Sequence, residues 1–463
     1  MNIRSGLTAG LLLALTVGCT TSAPPDDSAG DSEVAKEITV WTVEDVEDRV
    51  AATKEIIKGF TAKSGIKVKL VAVAESQFDQ IVTTAAASGT LPDVVAALSP
   101  AGVQSMSVSE LLDTKTSGDI VDDLGRDTFS PAALSLTRNG DEQIAVPGDA
   151  WTQLLYYRKD LFAKAGLGTP DTYDKIMAAA KKLSGGGTAG IALSTKAGDP
   201  FTDQPFEHLA LGNGCEMVDR KGTATLDSAA CTESFTFYGD LSRTYSPKGN
   251  QDVDTTRANY FAGKAAMVVW SSFLLDELAG LRNDALPTCP ECKKDRGYLA
   301  KNTGIVGPVS GPSGEPKQYG RVTSWAVTKQ GNAPASKQFV EYMMNDGYID
   351  WLAIAPEGKV PVRKGTQAEP QKFIRAWGGL KAGVDNKAPL TDFYPADVIQ
   401  TLITGPDKVS AWGFSQGQGA LVGAANGQLP VAKAVNDIVN GTAPQEAAEQ
   451  ADATVTEIAE SLK

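Results

Sequence analysis

Asp149 and Trp151 offer a carboxylate and a large ring in the stretch Val146-Pro-Gly-Asp-Ala-Trp-Thr-Gln-Leu-Leu-Tyr-Tyr-Arg-Lys-Asp-Leu-Phe162. The turn pair Pro147 and Gly148 precedes them, and an apolar run from Leu154 to Tyr157 follows before charged residues return. Groups of these types suit a sugar, whose C–H faces stack on rings and whose hydroxyls donate to carboxylates and accept from Arg, Ser or Thr. The same letters also fit an ordinary buried strand with a surface turn.

Other chemistries find less support. Gly413-Phe-Ser-Gln-Gly417 matches a G-x-S-x-G nucleophile elbow, but such a serine needs a histidine after it in the chain, and the single histidine, His208, lies well before it. Asp and Glu are plentiful enough for two-carboxylate glycoside hydrolysis. No G-x-x-x-x-G-K-[ST] phosphate loop is present, so the chain is not an ATPase of that type. A charge of −13 without basic clusters argues against a nucleic-acid partner.

Cys215, Cys231, Cys289 and Cys292 allow two disulfides in three connectivities, and the local pairs Cys215–Cys231 and Cys289–Cys292 are favoured. The knuckle-like Cys289-Pro-Glu-Cys292 leaves a zinc site as the competing reading. A second closely spaced ligand pair is missing for it, so no metal is expected.

These groups need a scaffold, and 463 residues are too many for one core of ordinary size, so two lobes are expected. The start of the chain has Arg4 and then an apolar run from Gly6 to Val17, too short to span a bilayer as a helix but fitting a secretory signal over residues 1–18. Leu15-Thr16-Val17-Gly18-Cys19 resembles a bacterial lipobox, with Thr16 where the leucine usually stands. That resemblance implies lipidation of Cys19, and residues 19–36, rich in Thr, Ser, Pro, Gly and Asp, read as a flexible tether. No later stretch has the apolar length of a membrane span, so the expected protein is extracytoplasmic and held to the membrane by its N-terminal lipid alone.

Glu37 to Trp41 reads as a strand, and Val50, Ile57 and Phe60 fall at helical spacing up to a stop at Gly65. A second strand alternates from Ile66 to Ala72, a helical stripe runs from Phe78 to Ala85, and Leu91 to Leu98 supplies a third strand. This βαβαβ order predicts a parallel sheet with helices on both faces.

Ala87-Ser-Gly-Thr-Leu-Pro-Asp-Val-Val95 resembles the Gly-x-x-Pro-Asp-[VI] segment of the sugar-type (family 1) extracellular solute-binding proteins of bacterial ABC importers, and Ile38-Thr-Val-Trp41 resembles their first strand. The likeness continues in order. Val146-Pro to Phe162 with Ala165-Gly-Leu167 is similar to the family's first lobe crossing, and Pro170-Asp-Thr-Tyr-Asp174 to its Pro-x-Thr-Trp-[DE] helix start. Phe261-Ala-Gly-Lys-Ala-Ala-Met267 resembles F-x-x-G-[KR]-x-A-M, and Gly358-Lys-Val-Pro-Val-Arg363 resembles Gly-x-[IV]-Pro-[VA]-[RK].

The resemblance implies an α/β, two-lobed periplasmic-binding-protein-like fold (type II), each lobe a mostly parallel sheet flanked by helices, with the ligand cleft between them. The lobes are expected at 37–147 with 303–346 and at 148–302 with 347–463. It also implies capture of a carbohydrate, a di- or oligosaccharide, and delivery to ABC permease subunits by hinge closure. A monomer without cofactor is expected. Binding of a glycerophosphodiester or phosphorylated polyol, which needs a basic group such as Arg321 or Arg363, is the alternative on this fold. A glycan-processing enzyme outside the cytoplasm is the third reading.

Ligands of open parallel sheets sit beyond the carboxyl ends of the strands, which points to Glu44, Asp45 and Ser99, each equally readable as a turn residue or helix cap. The resemblance adds Asp149 and Trp151 at the crossing, and Trp270, Ser271, Ser272 and Phe273 where the family has a Gly-x-[WF] turn. Phe273 holds its aromatic position, and Trp270 departs from the pattern. Thr323, Ser324 and Trp325 stand where the family often has glycines, and Arg363 is a candidate donor to hydroxyls. Trp351 and Trp377 read as core. Trp412 is undecided.

Overall fold

A computed structural model describes residues 33–462. The expected signal segment, Cys19 and the tether as far as residue 32 lie outside the described residues.

Strand β1 (Glu37–Thr42) buries alternate residues Ile38, Val40 and Thr42. Helix α1 (Glu47–Ser64) places Glu47 and Asp48 in its first turn, where acidic groups suit the helix dipole, and buries Ile56, Ile57 and Phe60. It stops at Gly65, whose left-handed φ of 78° lets its N–H reach the Thr61 carbonyl. Strand β2 (Lys67–Ala72), helix α2 (Phe78–Ser88) and strand β3 (Val94–Leu98) follow, and β2 and β3 flank β1 in parallel register, as the βαβαβ pattern predicts.

In chain order there follow helix α3 (Pro100–Val108), the long strand β4 (Val146–Arg158), helix α4 (Pro200–Gly212) and strands β5 (Met267–Ser271), β6 (Thr303–Val306) and β7 (Gln318–Val327). The pairing of β7 with β3 and of β4 with β5, β6 and β7 is antiparallel throughout. The sheet is therefore mixed: parallel pairing runs through β1–β3 and recurs where Val409–Ser410 lies beside the start of β7, and the pairs among β3–β7 are antiparallel. A strand that crosses a gap and one that returns beside it must run in opposite directions.

Strand β4 is that crossing. Over its first half, Val146 to Thr152, it pairs with β7. Over its second half, Gln153 to Arg158, it pairs with β5 on one side and β6 on the other. Thirteen extended residues reach roughly 43 Å, enough to serve two sheets. Leu154, Leu155 and Tyr156 are fully buried, which is why the apolar run belongs at this place.

One face of the β4–β7 ribbon packs Ala150 and Val322 on Ala133, Leu136, Val362 and Val409. At the crossing itself Gly320 lies against β4 so closely that a Cβ there would meet the Trp151 carbonyl at 2.6 Å.

Helix α5 (Tyr348–Leu352) and strand β8 (Val360–Pro361) belong to the stretch that the sequence placed in the second lobe after residue 347. They return to the first half of β4. The Trp351 ring lies 4.9 Å from that of Trp325, the Tyr348 hydroxyl donates to the Gly148 carbonyl at 2.6 Å, and β8 pairs with Asp149 and Ala150. Helix α6 (Gly419–Asn426), whose Leu421, Val422 and Ala425 join the core of the second lobe, packs on α3 of the first.

Both expected disulfides are present, Cys215–Cys231 and Cys289–Cys292, with Cα separations of 4.6 and 4.9 Å. A zinc site built on these cysteines is thereby overturned. Among the described residues no helix is long and apolar enough to cross a membrane.

Gly320→Ala should destabilise the protein by about 2 kcal/mol, because the added methyl meets backbone that no side-chain rotation can relieve. Urea unfolding of the variant checks this.

Candidate ligand-binding site

The register of β4 against β7 sets Asp149 opposite Thr323 and Trp151 opposite Arg321. Successive side chains alternate across a strand, so Tyr319, Arg321, Thr323, Asp149 and Trp151 share the face opposite Ala150 and Val322. The Arg321 guanidinium lies 5.7 Å from the Trp151 ring centre and donates from Nε to the Tyr319 hydroxyl at 3.2 Å. Trp151 also meets Tyr319 edge-on at 5.8 Å and Phe273 at 6.4 Å.

Tyr319 and Arg321 form one wall of a cavity of about 170 Å³ between the lobes. The first lobe adds Glu75 and Ser99, and the second adds Glu207, Trp412 and Phe414. Ser99 caps α3, its hydroxyl accepting from the Gly102 N–H at 3.2 Å, so it is both cap and cavity wall. The Trp412 indole is fixed by donation to the Cys215 carbonyl at 2.8 Å. Glu75, Ser99, Ala101 and Gly423 also line a second, neighbouring cavity of about 460 Å³ beside Phe78 and Asp79.

Several predicted site residues have other duties. Asp149 is buried, and its Oδ2 accepts from the Trp351 indole at 2.7 Å and from Lys359 at 3.4 Å. Glu44 meets the same Lys359 at 2.8 Å and Arg49 at 3.3 Å. Burial acts to raise the Glu44 carboxyl, but Lys359 and Arg49 together hold it below its ordinary value. Burial raises Asp149, and Lys359 offsets this only in part. The ammonium also sits 3.9 Å from the Trp351 ring centre. These groups form a buried structural network and line no part of the 170 Å³ cavity.

Arg363 is likewise engaged, not free for hydroxyls. It donates to the carbonyls of Met344 and Leu124, both at 2.7 Å, and to the Thr128 hydroxyl at 3.0 Å. Trp325 is core, 1% exposed, and Trp270 packs at 4.4 Å on Phe201. Ser272 and Ser324 are buried, the Ser271 carbonyl accepts from the Tyr156 hydroxyl, and Asp45 is exposed on the turn after β1. Trp351 and Trp377 are core residues, as their helical settings suggest. Trp151, Phe273 and Ser99 are thus the predicted residues gathered at or behind the cavity.

The sequence reading passed over Glu75, Glu207, Tyr319 and Phe414 and left Trp412 undecided. Trp412-Gly-Phe414 carried a signal, two rings flanking a glycine whose φ is 77°. Glu207 carried none, since a helical acid with one face to the core looks like any other. Ser415 of the apparent nucleophile elbow is exposed and bonds to Gln416, whereas His208 is buried and accepts the Tyr319 N–H. No base reaches that serine.

Lys359→Met should cost about 3 kcal/mol at pH 7, because it leaves the buried Asp149 without a cation and Glu44 with Arg49 alone. Glu44, held below 4.5, contributes stability that is present above the unfolded value and is lost as pH falls through the folded one. The deficit of the variant should therefore shrink in acid, as urea unfolding at pH 7 and pH 4 can measure.

The model of the family described as bacterial extracellular solute-binding protein matches residues 44–349. The chain is 30% identical over 327 residues to the ABC transporter periplasmic-binding protein YcjN of Escherichia coli (strain K12), spanning 69% of this chain and 71% of that one. It is 25% identical over 398 residues to the diacetylchitobiose binding protein DasA of Streptomyces coelicolor, spanning 82% and 87%. Its fold matches the GacH receptor of Streptomyces glaucescens with a TM-score of 0.66 at 20% identity, covering 92% of this chain and 99% of that one. It matches the sugar-binding protein MalE of Xanthomonas citri with a TM-score of 0.71 at 17% identity, covering 92% and 98%. The fold is thus the two-lobed, periplasmic-binding-protein-like one, and the chain belongs to the bacterial extracellular solute-binding protein family.

Proposed function

We propose that this protein captures a carbohydrate, a di- or oligosaccharide, outside the cytoplasm and delivers it to the permease of an ABC transporter by closing its lobes on it. The observation that carries this reading is the composition of the interlobe cavity. Rings come from Tyr319, Trp412 and Phe414, hydrogen-bonding groups come from Glu75, Ser99, Glu207 and Arg321, and both lobes contribute. Relatives support it by what they bind: diacetylchitobiose for DasA, acarbose for GacH and maltose for a Staphylococcus aureus protein of the same fold.

A cavity of about 170 Å³ suits one sugar unit, and the neighbouring cavity of about 460 Å³, which shares four of its lining residues, leaves room for more. Trp151 and Phe273 back the rings, and Ser99 offers its hydroxyl from the first lobe. Ligand favours the closed arrangement only by as much as it binds that arrangement better than the open one, so walls drawn from both lobes are the necessary condition for coupling capture to closure. Lipidation of Cys19 would keep the protein beside its permease.

A second reading, a glycerophosphodiester or phosphorylated polyol, draws on Arg321. Its guanidinium lines the cavity without a carboxylate partner among the described residues. Glu75, exposed at the same cavity, weighs toward hydroxyls.

Tryptophan fluorescence titrated with maltose, maltotetraose, diacetylchitobiose and glycerophosphocholine should saturate with one sugar class, leaving that sugar unconsumed. Phe414→Ala should weaken the best ligand about tenfold, a loss on the scale of one stacked ring. Saturation by the phosphodiester alone would favour the second reading, and consumption of the sugar would sink binding without catalysis.

A further inference from the structure

Glu207 is the buried acid of the cavity wall. It projects from α4, is 7% exposed, and accepts the Trp412 N–H on Oε1 at 2.7 Å. Its Oε2 accepts no hydrogen bond from the described residues. A carboxylate held this way needs a cation, and none touches it. Arg321, on strand β7, acts on it only through space, its Nε given to Tyr319 and its guanidinium carbon 5.7 Å from the Trp151 ring centre. The other titratable groups around it do not help. Glu216 and Asp203 add negative charge, Glu75 lies exposed across the cavity, and His208 on the same helix is kept neutral by burial.

An acid buried without a counter-ion is more stable neutral than charged. Neutral, it carries an O–H and becomes a donor, whereas a carboxylate can only accept. We propose that Glu207 meets the ligand as a carboxylic acid, donating its O–H to an acceptor-only oxygen of the bound sugar, such as a ring or glycosidic oxygen or an acyl carbonyl. This rests on the carbohydrate reading and sharpens it. The site selects sugars by an acceptor they present beside Trp412, and capture becomes dependent on pH.

Burial pushes the Glu207 carboxyl up to about 8, so the proton is in place at neutral pH and leaves in mild alkali. Affinity should be level below pH 7 and fall above 8. At pH 9.5 about one molecule in thirty still holds the proton, and binding should be about 30-fold weaker than at pH 6.5.

Calorimetric titration of the full mature chain with maltose, maltotetraose and diacetylchitobiose at pH 6.5, 8.0 and 9.5 tests this, with thermal unfolding to verify that each variant is folded. Glu207→Gln, whose amide donates at every pH, should bind a few-fold more weakly at pH 6.5 and lose nothing further at pH 9.5. Glu207→Ala should lose at least about tenfold at pH 6.5, the scale of one hydrogen bond to a buried group. A wild-type affinity level to pH 9.5, or an alkaline loss that persists in Glu207→Gln, overturns the proposal. Carbon-13 carboxyl NMR of the free protein, compared with Glu207→Gln, reads the group without any ligand. A midpoint near 8 supports the proposal, and an ordinary carboxylate midpoint overturns it alone. Failure of every sugar at pH 6.5 beside a midpoint near 8 would sink the carbohydrate reading, and the donor role with it.

Discussion

The antiparallel pairing of β4 with β7 is the constraint on which the rest of the structure depends. The two strands are held together from Val146 opposite Trp325 to Thr152 opposite Gly320, and beyond that point β4 takes new partners in the second lobe. The ribbon is therefore a scaffold shared by both groups of strands. One face is sealed by Ala150 and Val322, and the other carries the polar and aromatic side chains from Asp149 out to Tyr319. A slip of one residue in register would turn Trp151 and Arg321 into the core and Ala150 into the cleft, so the apolar face fixes the cleft as firmly as it fixes the core.

Along that one face charge changes its use with depth. At the inner end Lys359 pairs with both Asp149 and Glu44, Arg49 pairs with Glu44, and the Trp351 indole donates to Asp149. These groups tie α1, β4, α5 and β8 together, and their polarity is directed inward. Arg363 performs the same service a few residues on, joining three separate segments through their carbonyls and hydroxyls, with burial lowering its basicity to about 10. At the outer end Arg321 and Glu207 face each other without an ion pair, and their unused donors and acceptors open on the cavity. Charge at the inner end is held in ion pairs, whereas Arg321 and Glu207 at the outer end share none among the described residues and border the cavity.

This gradient explains what could be read from the sequence. Periodicity and glycine stops placed β1, α1, β2, α2 and β3 because each of those signals is local: Gly65 and Gly89 cap helices in left-handed conformation, and alternation decides which face of β1 is buried. The disulfides were legible from spacing. Whether a polar residue serves the fold or the ligand was not, because that depends on partners hundreds of residues away. Asp149 looks like a ligand acceptor until Lys359 and Trp351 arrive, and Arg363 looks like a free donor until Leu124 and Met344 are placed beside it. Glu207 becomes conspicuous only when Trp412, more than two hundred residues later, supplies its partner.

The side of the cavity away from the ribbon is built on a close approach of two helices. There α3 meets α6, and the approach is close because Gly419 and Gly423 present no side chain: a Cβ at Gly419 would meet the Gln104 side chain at 2.6 Å, and one at Gly423 would touch the Ala101 methyl at 3.6 Å. Small residues bring little apolar area to a contact, so the hydrophobic gain from this meeting of lobes is modest. Were α3 and α6 joined by a large apolar interface, the lobes would stay shut without ligand and the cavity could not fill. With Gly419 and Gly423 set against Gln104 and Ala101 at the seam, the larger part of what can hold the two sides together is left to the groups lining the cavity between the seam and the ribbon.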